Sequence, residues 1–165
     1  MYKYLTRIIG LAALVVSIST PVLADYLDGR SAYLRKDYET AITEWRPLAT
    51  EGDMRAQGML GWLYKKGYGV PEDINEAVKW FKLAAEQGHG FSQNEIGQAY
   101  YTGKGAPQDL IRAAMWFNLS KLRGFGLANR NSVEKKLDQA SVQRARRMAE
   151  DWTARHAKQS ANPDE

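Results

Sequence analysis

Apolar positions recur at helical intervals along most of this chain, and the pattern repeats. From Met54 to Lys66, Leu60, Leu63 and Tyr64 fall on one helical face, with small Ala56 and Gly61 between them. Gly67-Tyr68-Gly69-Val70-Pro71 then stops the pattern, because two glycines and a proline do not continue a helix. Asp73 follows as the expected N-cap. Ala77, Trp80, Phe81, Ala84 and Ala85 make a second stripe, and Gly88 stands where a helix-ending glycine belongs. The unit predicted is helix, tight loop, helix. No segment alternates with the period of a strand.

A shift of 36 residues lays the chain on itself. Gly52, Gly88 and Gly124 share this spacing, as do Ala41, Ala77 and Ala113, and the aromatic series Trp45, Phe81 and Phe117. Two full copies add Gln57/Gln93, Gly61/Gly97, Tyr64/Tyr100, Gly67/Gly103, Pro71/Pro107 and Asp73/Asp109. A period of this size means stacked supersecondary units, each burying its apolar face against the next. Gly61 and Gly97 stand mid-helix, where glycine costs about 1 kcal/mol relative to alanine. Their recurrence predicts a helix approach too close for a Cβ.

The ends depart from the period. Residues 25–53 read as a shortened copy without the Gly-x-Gly-Val-Pro loop; Tyr33 to Ala41 spans 8 positions where Tyr64 to Ala77 spans 13. Pro47 predicts a kink or a late start in the second helix of this copy. At the other end, Asn129–Leu137 and Ser141–Trp152 read as capping helices, the latter with Val142, Ala145, Met148, Ala149 and Trp152 on one stripe. Residues 159–165 read as a loose tail, and His156 as lying near a frayed terminus. The expected organisation is thus 1–24 leader, 25–53 short repeat, 54–89 and 90–125 full repeats, 126–158 cap and 159–165 tail.

The run 56–88 carries a family resemblance. Its sequence, small-x-x-x-Leu-Gly-x-x-Tyr-x-x-Gly-x-Gly-Val, then Asp, Ala-x-x-Trp and Ala-Ala-x-Gln-Gly, resembles the Sel-one-like repeat, a relative of the tetratricopeptide repeat. Residues 92–124 follow it less fully, with Ala106 for Val and Ser120-Lys121-Leu122-Arg123 for the Ala-Ala-x-Gln run. The resemblance implies an all-α fold, an α-solenoid of antiparallel helix pairs with a C-terminal helical cap. It also implies a non-enzymatic protein-protein interaction scaffold or adaptor. Relatives of this kind serve in envelope regulation, surface assemblies, host interaction and the neutralisation of secreted toxins, so a toxin-immunity protein is the alternative reading. Some cysteine-rich relatives bind or hydrolyse β-lactams; this chain has no Cys, which sets that third reading lowest.

Composition narrows the setting. Lys3 and Arg7 precede an apolar run, Ile8 to Ile18, and the small-residue end Val22-Leu23-Ala24. This is the pattern of a cleaved secretory signal, and the run falls short of the roughly 20 residues a span requires. The expected location is the periplasm or the exterior. Cleavage after Ala24 would remove two cations and no acid, lowering net charge from +4 to +2. Nothing in that balance calls for nucleic acid. Without Cys there is no disulfide framework, and with two His no metal site or cofactor is expected.

Catalytic motifs are missing from the chain. Gly103-Lys104-Gly105 lacks the Lys-Ser/Thr of a phosphate loop and coincides with the repeat turn Gly67-Tyr68-Gly69. His89, in an inter-repeat turn, and His156, near the C-terminus, are not read as catalytic, since a base needs an orienting partner. Arg144, Arg146, Arg147, Arg155 and Lys158 read as a solvated cap face, the sharper alternative being peripheral contact with an anionic membrane surface. A monomer is expected.

In such arrays the first helix of each pair lines the inner surface. The non-repeat residues there are the candidate partner contacts: Arg55, Trp62, Lys65 and Lys66 in one copy, Phe91, Asn94, Gln98 and Tyr101 in the next. Trp, Tyr and Arg are the side chains enriched at binding hot spots.

Overall fold

The computed structural model describes residues 26–120 and 125–161. The leader expected over 1–24 lies outside them. Eight helices run in order among the described residues: α1 (Tyr26–Leu34), α2 (Tyr38–Thr50), α3 (Met54–Lys66), α4 (Ile74–Glu86), α5 (Gly90–Thr102), α6 (Leu110–Leu119), α7 (Phe125–Glu134) and α8 (Gln139–Ala161). Each of α1 to α6 packs on its neighbour in sequence, and α7 and α8 both close on α6. This is the all-α solenoid with a helical cap that the periodicity predicts.

Each second helix starts on an aspartate. Asp37, Asp73 and Asp109 stand 36 apart and accept the backbone N–H three residues on, from Thr40 at 3.2 Å and from Glu76 and Arg112 at 2.9 Å. Such a cap satisfies a donor that the helix cannot, for about 1 kcal/mol. At the far end of α4, Gly88 takes a φ of +90°, and the His89 amide turns back to the Ala84 carbonyl at 3.0 Å. Only glycine adopts that backbone without steric cost.

The mid-helix glycines are contact points. A Cβ on Gly61 would lie 2.6 Å from Cδ1 of Phe81, and one on Gly97 would lie 2.5 Å from Cε1 of Phe117. The first pair repeats the device, since a Cβ on Gly29 would lie 2.5 Å from the Trp45 indole. Each pair is therefore an aromatic ring on the second helix seated on bare backbone of the first. Gln57 and Gln93 join one pair to the next. Both are buried, and their amides donate to the Ala49 carbonyl at 2.9 Å and the Ala85 carbonyl at 3.2 Å, in the last turn of the preceding helix.

Several expectations shift at the ends. Gly29 matches Gly61, so Ala32 and not Tyr33 stands opposite Tyr64, and the first turn is shorter by four residues, not five. Lys36 absorbs that shortening with a φ of 64°, the one positive value among described non-glycine residues. Pro47 lies inside α2, which nonetheless begins at Tyr38, so there is no late start. The helix starts early because Asp37 caps it ten residues before the proline.

The cap also differs from expectation. α7 runs Phe125–Glu134, starting four residues and ending three residues before the expected Asn129–Leu137. α8 extends to Ala161, through the first three residues of the expected tail. His156 is not frayed: its ring stacks on Trp152 with centroids 3.5 Å apart, and Nε2 meets the Glu86 carbonyl at the end of α4. That tie fixes the last turns of α8 across the array.

Candidate functional site

The first helices α1, α3 and α5, with the turn that follows α7, carry one row of side chains linked from pair to pair. The indole N–H of Trp62 on α3 donates to the Tyr33 hydroxyl on α1 at 3.1 Å. The Trp62 ring meets the Phe91 ring of α5 edge-on, centroids 5.8 Å apart, and the Lys66 ammonium lies 4.6 Å from its centroid. Lys65 pairs with Glu95 of α5. Farther on, the Lys136 ammonium sits 4.6 Å from the Tyr101 ring centroid. Cation–π contacts at such exposure contribute about 0.5–1 kcal/mol each. They fix the rings more than they stabilise the fold.

The eight candidate residues divide by surroundings. Trp62, Lys65, Phe91, Gln98 and Tyr101 are half-buried, and Lys66 is exposed. Gln98 makes no side-chain hydrogen bond among the described residues. Arg55 is exposed at the start of α3, where it pairs with Asp53 at 2.7 Å and lies 4.5 Å from the Tyr26 ring centroid. Asn94 is placed differently. It is 6% exposed, and its Oδ1 accepts from Asn129 of α7 at 2.8 Å, so a partner would reach it only after displacing α7.

Tyr33, Glu95 and Lys136 complete the row and were not singled out by sequence. A signal for Tyr33 existed. It follows Gly29 by four residues, as Lys65 follows Gly61 and Tyr101 follows Gly97, so all three share one register.

Asp53 caps α3 by accepting from the Arg55 and Ala56 amides at 2.8 and 3.1 Å. The side-chain bond from Arg55, aided by those amides against partial burial, holds its carboxyl below the usual range. The equivalent cap of α5 is His89, whose Nδ1 lies 2.8 Å from the Ser92 hydroxyl. This pair is no nucleophile, because Ser92 is fully buried. Burial lowers the His89 pKa, with the Asp53 charge opposing. A histidine depressed in the fold contributes stability that is complete above its ordinary value of 6.5 and is lost as pH falls below it. Urea denaturation should therefore show a larger loss between pH 7 and pH 5 for the native chain than for His89→Gln; equal losses would refute the assignment.

On α8, Arg146 is taken by Glu134 of α7 at 3.1 Å, while Arg144, Arg147 and Arg155 are exposed among acidic Glu150 and Asp151. The Lys158 side chain lies outside the described residues. No described helix is long and apolar enough to cross a membrane. Among the described residues no three His, Cys, Asp or Glu side chains group as a metal site.

Fold and row together define an α-solenoid scaffold: regular helix pairs presenting a continuous, partly exposed line of aromatic and charged side chains. Residues 55–89 and 90–125 match the Sel1 repeat, so the chain carries two Sel1 repeats. Sel1 repeats generally act as protein–protein interaction scaffolds, and the fold is typically non-catalytic. The chain is similar to a protective antigen of uropathogenic Escherichia coli that displays an SLR fold, with 30% identity and a TM-score of 0.74 over 81% of this chain and 30% of that one. It is also similar to a Sel1 repeat protein from Oxalobacter formigenes, with 27% identity and a TM-score of 0.63 over 78% of this chain and 56% of that one. The chain thus spans less than two thirds of either neighbour. No curated protein matches it.

Proposed function

We propose that the chain is a non-enzymatic adaptor of the periplasm or the cell exterior that holds a protein or peptide segment against the first-helix row. The observation that carries this is the cross-linking of the row. Trp62 is fixed by Tyr33 and Phe91, and Lys65 by Glu95, before any partner arrives. Side chains ordered in advance lose little rotamer freedom on binding, a saving of about 0.5–1.5 kcal/mol for each one otherwise immobilised. The leader-like pattern of residues 1–24 supports the compartment. The reach of Sel1 scaffolds toward protein partners supports the class of ligand.

Affinity capture from the native host tests the reading. Trp62→Ala combined with Tyr101→Ala should lose the captured partner while circular dichroism still reports a folded helical protein. Undiminished capture by that folded variant would remove the first-helix row as the binding face.

A further inference from the structure

Beside the row lies a hollow of about 180 Å³, enclosed by α3, α4, α5 and the turn at Gly103–Gly105. Its floor is apolar, made by Val78, Phe81 and Ala99, and its rim is polar, made by Lys65, Glu95 and Lys104. Small-molecule sites run to about 300–1,000 Å³, so this space is too small for one. It has the scale of one aliphatic side chain.

The charges around it are not balanced. The Glu95 carboxylate is taken by Lys65 and the Asp53 carboxylate by Arg55. Among the described residues, no carboxylate stands within ion-pair distance of Lys104 at the rim, or of Lys66 and Lys136 along the same row. Glu95 and Asp53 are thus neutralised, while Lys66, Lys104 and Lys136 keep charges that no described carboxylate balances, two of them resting over the Trp62 and Tyr101 rings. Potentials across an interface are complementary, and so the matching segment is acidic.

We propose that this hollow is the anchor pocket of the row, taking one leucine-like side chain of a partner segment that bears acidic residues on either side. The proposal rests on the scaffold reading above and adds the chemistry of its ligand. The aliphatic group would cover the Phe81 and Val78 surface, while carboxylates before and after it meet Lys104 and Lys66. Lys65 keeps ammonium N–H groups beyond its bond to Glu95, and these can meet a partner carbonyl at the lip.

Three capped pentapeptides test this by NMR titration of the purified protein: Asp-Asp-Leu-Asp-Asp, the same peptide with Ala at its centre, and Lys-Lys-Leu-Lys-Lys. The acidic leucine peptide should bind saturably, about tenfold more tightly than its alanine form, with no saturable binding of the lysine peptide. Thr102→Trp, which fills the mouth from an exposed position, and Lys104→Glu should each weaken it about tenfold without moving the melting temperature. Equal binding of leucine and alanine peptides, absence of saturation up to millimolar peptide, or native-like binding by Thr102→Trp would overturn the proposal. Capture of a host partner separates the two readings. If Trp62→Ala/Tyr101→Ala loses the partner while Thr102→Trp keeps it, the pocket fails and the scaffold stands. If the row variant keeps it, both fail.

Discussion

Gly97→Val is expected to lower stability by about 3 kcal/mol, the upper part of the range for overpacked cores. The position has no room, because a Cβ there would lie 2.5 Å and 2.6 Å from two carbons of the Phe117 ring. Phe117 is itself 2% exposed and cannot swing outward without opening the α5–α6 contact. Replacing a helical glycine ordinarily gains helix propensity, about 1 kcal/mol for alanine, so a net loss isolates the packing effect. For a chain of this length the melting temperature should fall by roughly 10 °C. A smaller partner side chain should relieve the strain. Gly97→Val with Phe117→Leu should lose clearly less than the two single losses added, because contacting sites are not additive. An unchanged melting temperature, or strict additivity, would contradict the ring-on-glycine account.

Trp45→Ala should be costlier still, at about 3–5 kcal/mol. Its indole is fully buried, stacks on Tyr26 at 5.7 Å and donates to the Tyr26 carbonyl at 3.0 Å. The location decides how that loss shows. α1 packs on α2 at the end of the array, and in a solenoid each unit is held only by its neighbours. The expected result is local: hydrogen exchange accelerates across 26–49, while the amides of α5 and α6 keep their protection. Loss of protection throughout the chain would mean that the array unfolds as one unit.

The packing device was legible in the sequence through its period. Gly61, Gly97, Phe81 and Phe117 recur at one offset, and the structure brings each glycine under its aromatic. Gly29 escaped because a four-residue deletion in the first turn moved it off that offset, although its partner Trp45 remained on it. The cap was harder to read. α8 is mostly polar, so its apolar stripe ends at Trp152, and its last turns rest on His156 meeting the Glu86 carbonyl, 70 residues away. A contact of that separation leaves no local trace.

The binding row was legible in part for the same reason. Trp62, Lys65, Lys66, Gln98 and Tyr101 could be placed on the first helices from the repeat alone. Glu95 and Lys136 could not, because they matter through contacts between successive pairs, and those contacts do not keep the 36-residue offset. Asn94 shows the converse. It occupies a first-helix position, but the array ends there and α7 covers it. Repeat position tells which face a residue is on; whether that face is free depends on the helix packed over it.

The central claim is that partners are held on the first-helix row and not on the outer second helices. Parallel capture by the native chain, by Trp62→Ala/Tyr101→Ala and by Leu83→Glu, on the exposed face of α4, tests it directly, with each variant's melt recorded beside it. The account predicts that only the row variant loses its partner. Loss with Leu83→Glu and retention with the row variant would contradict it.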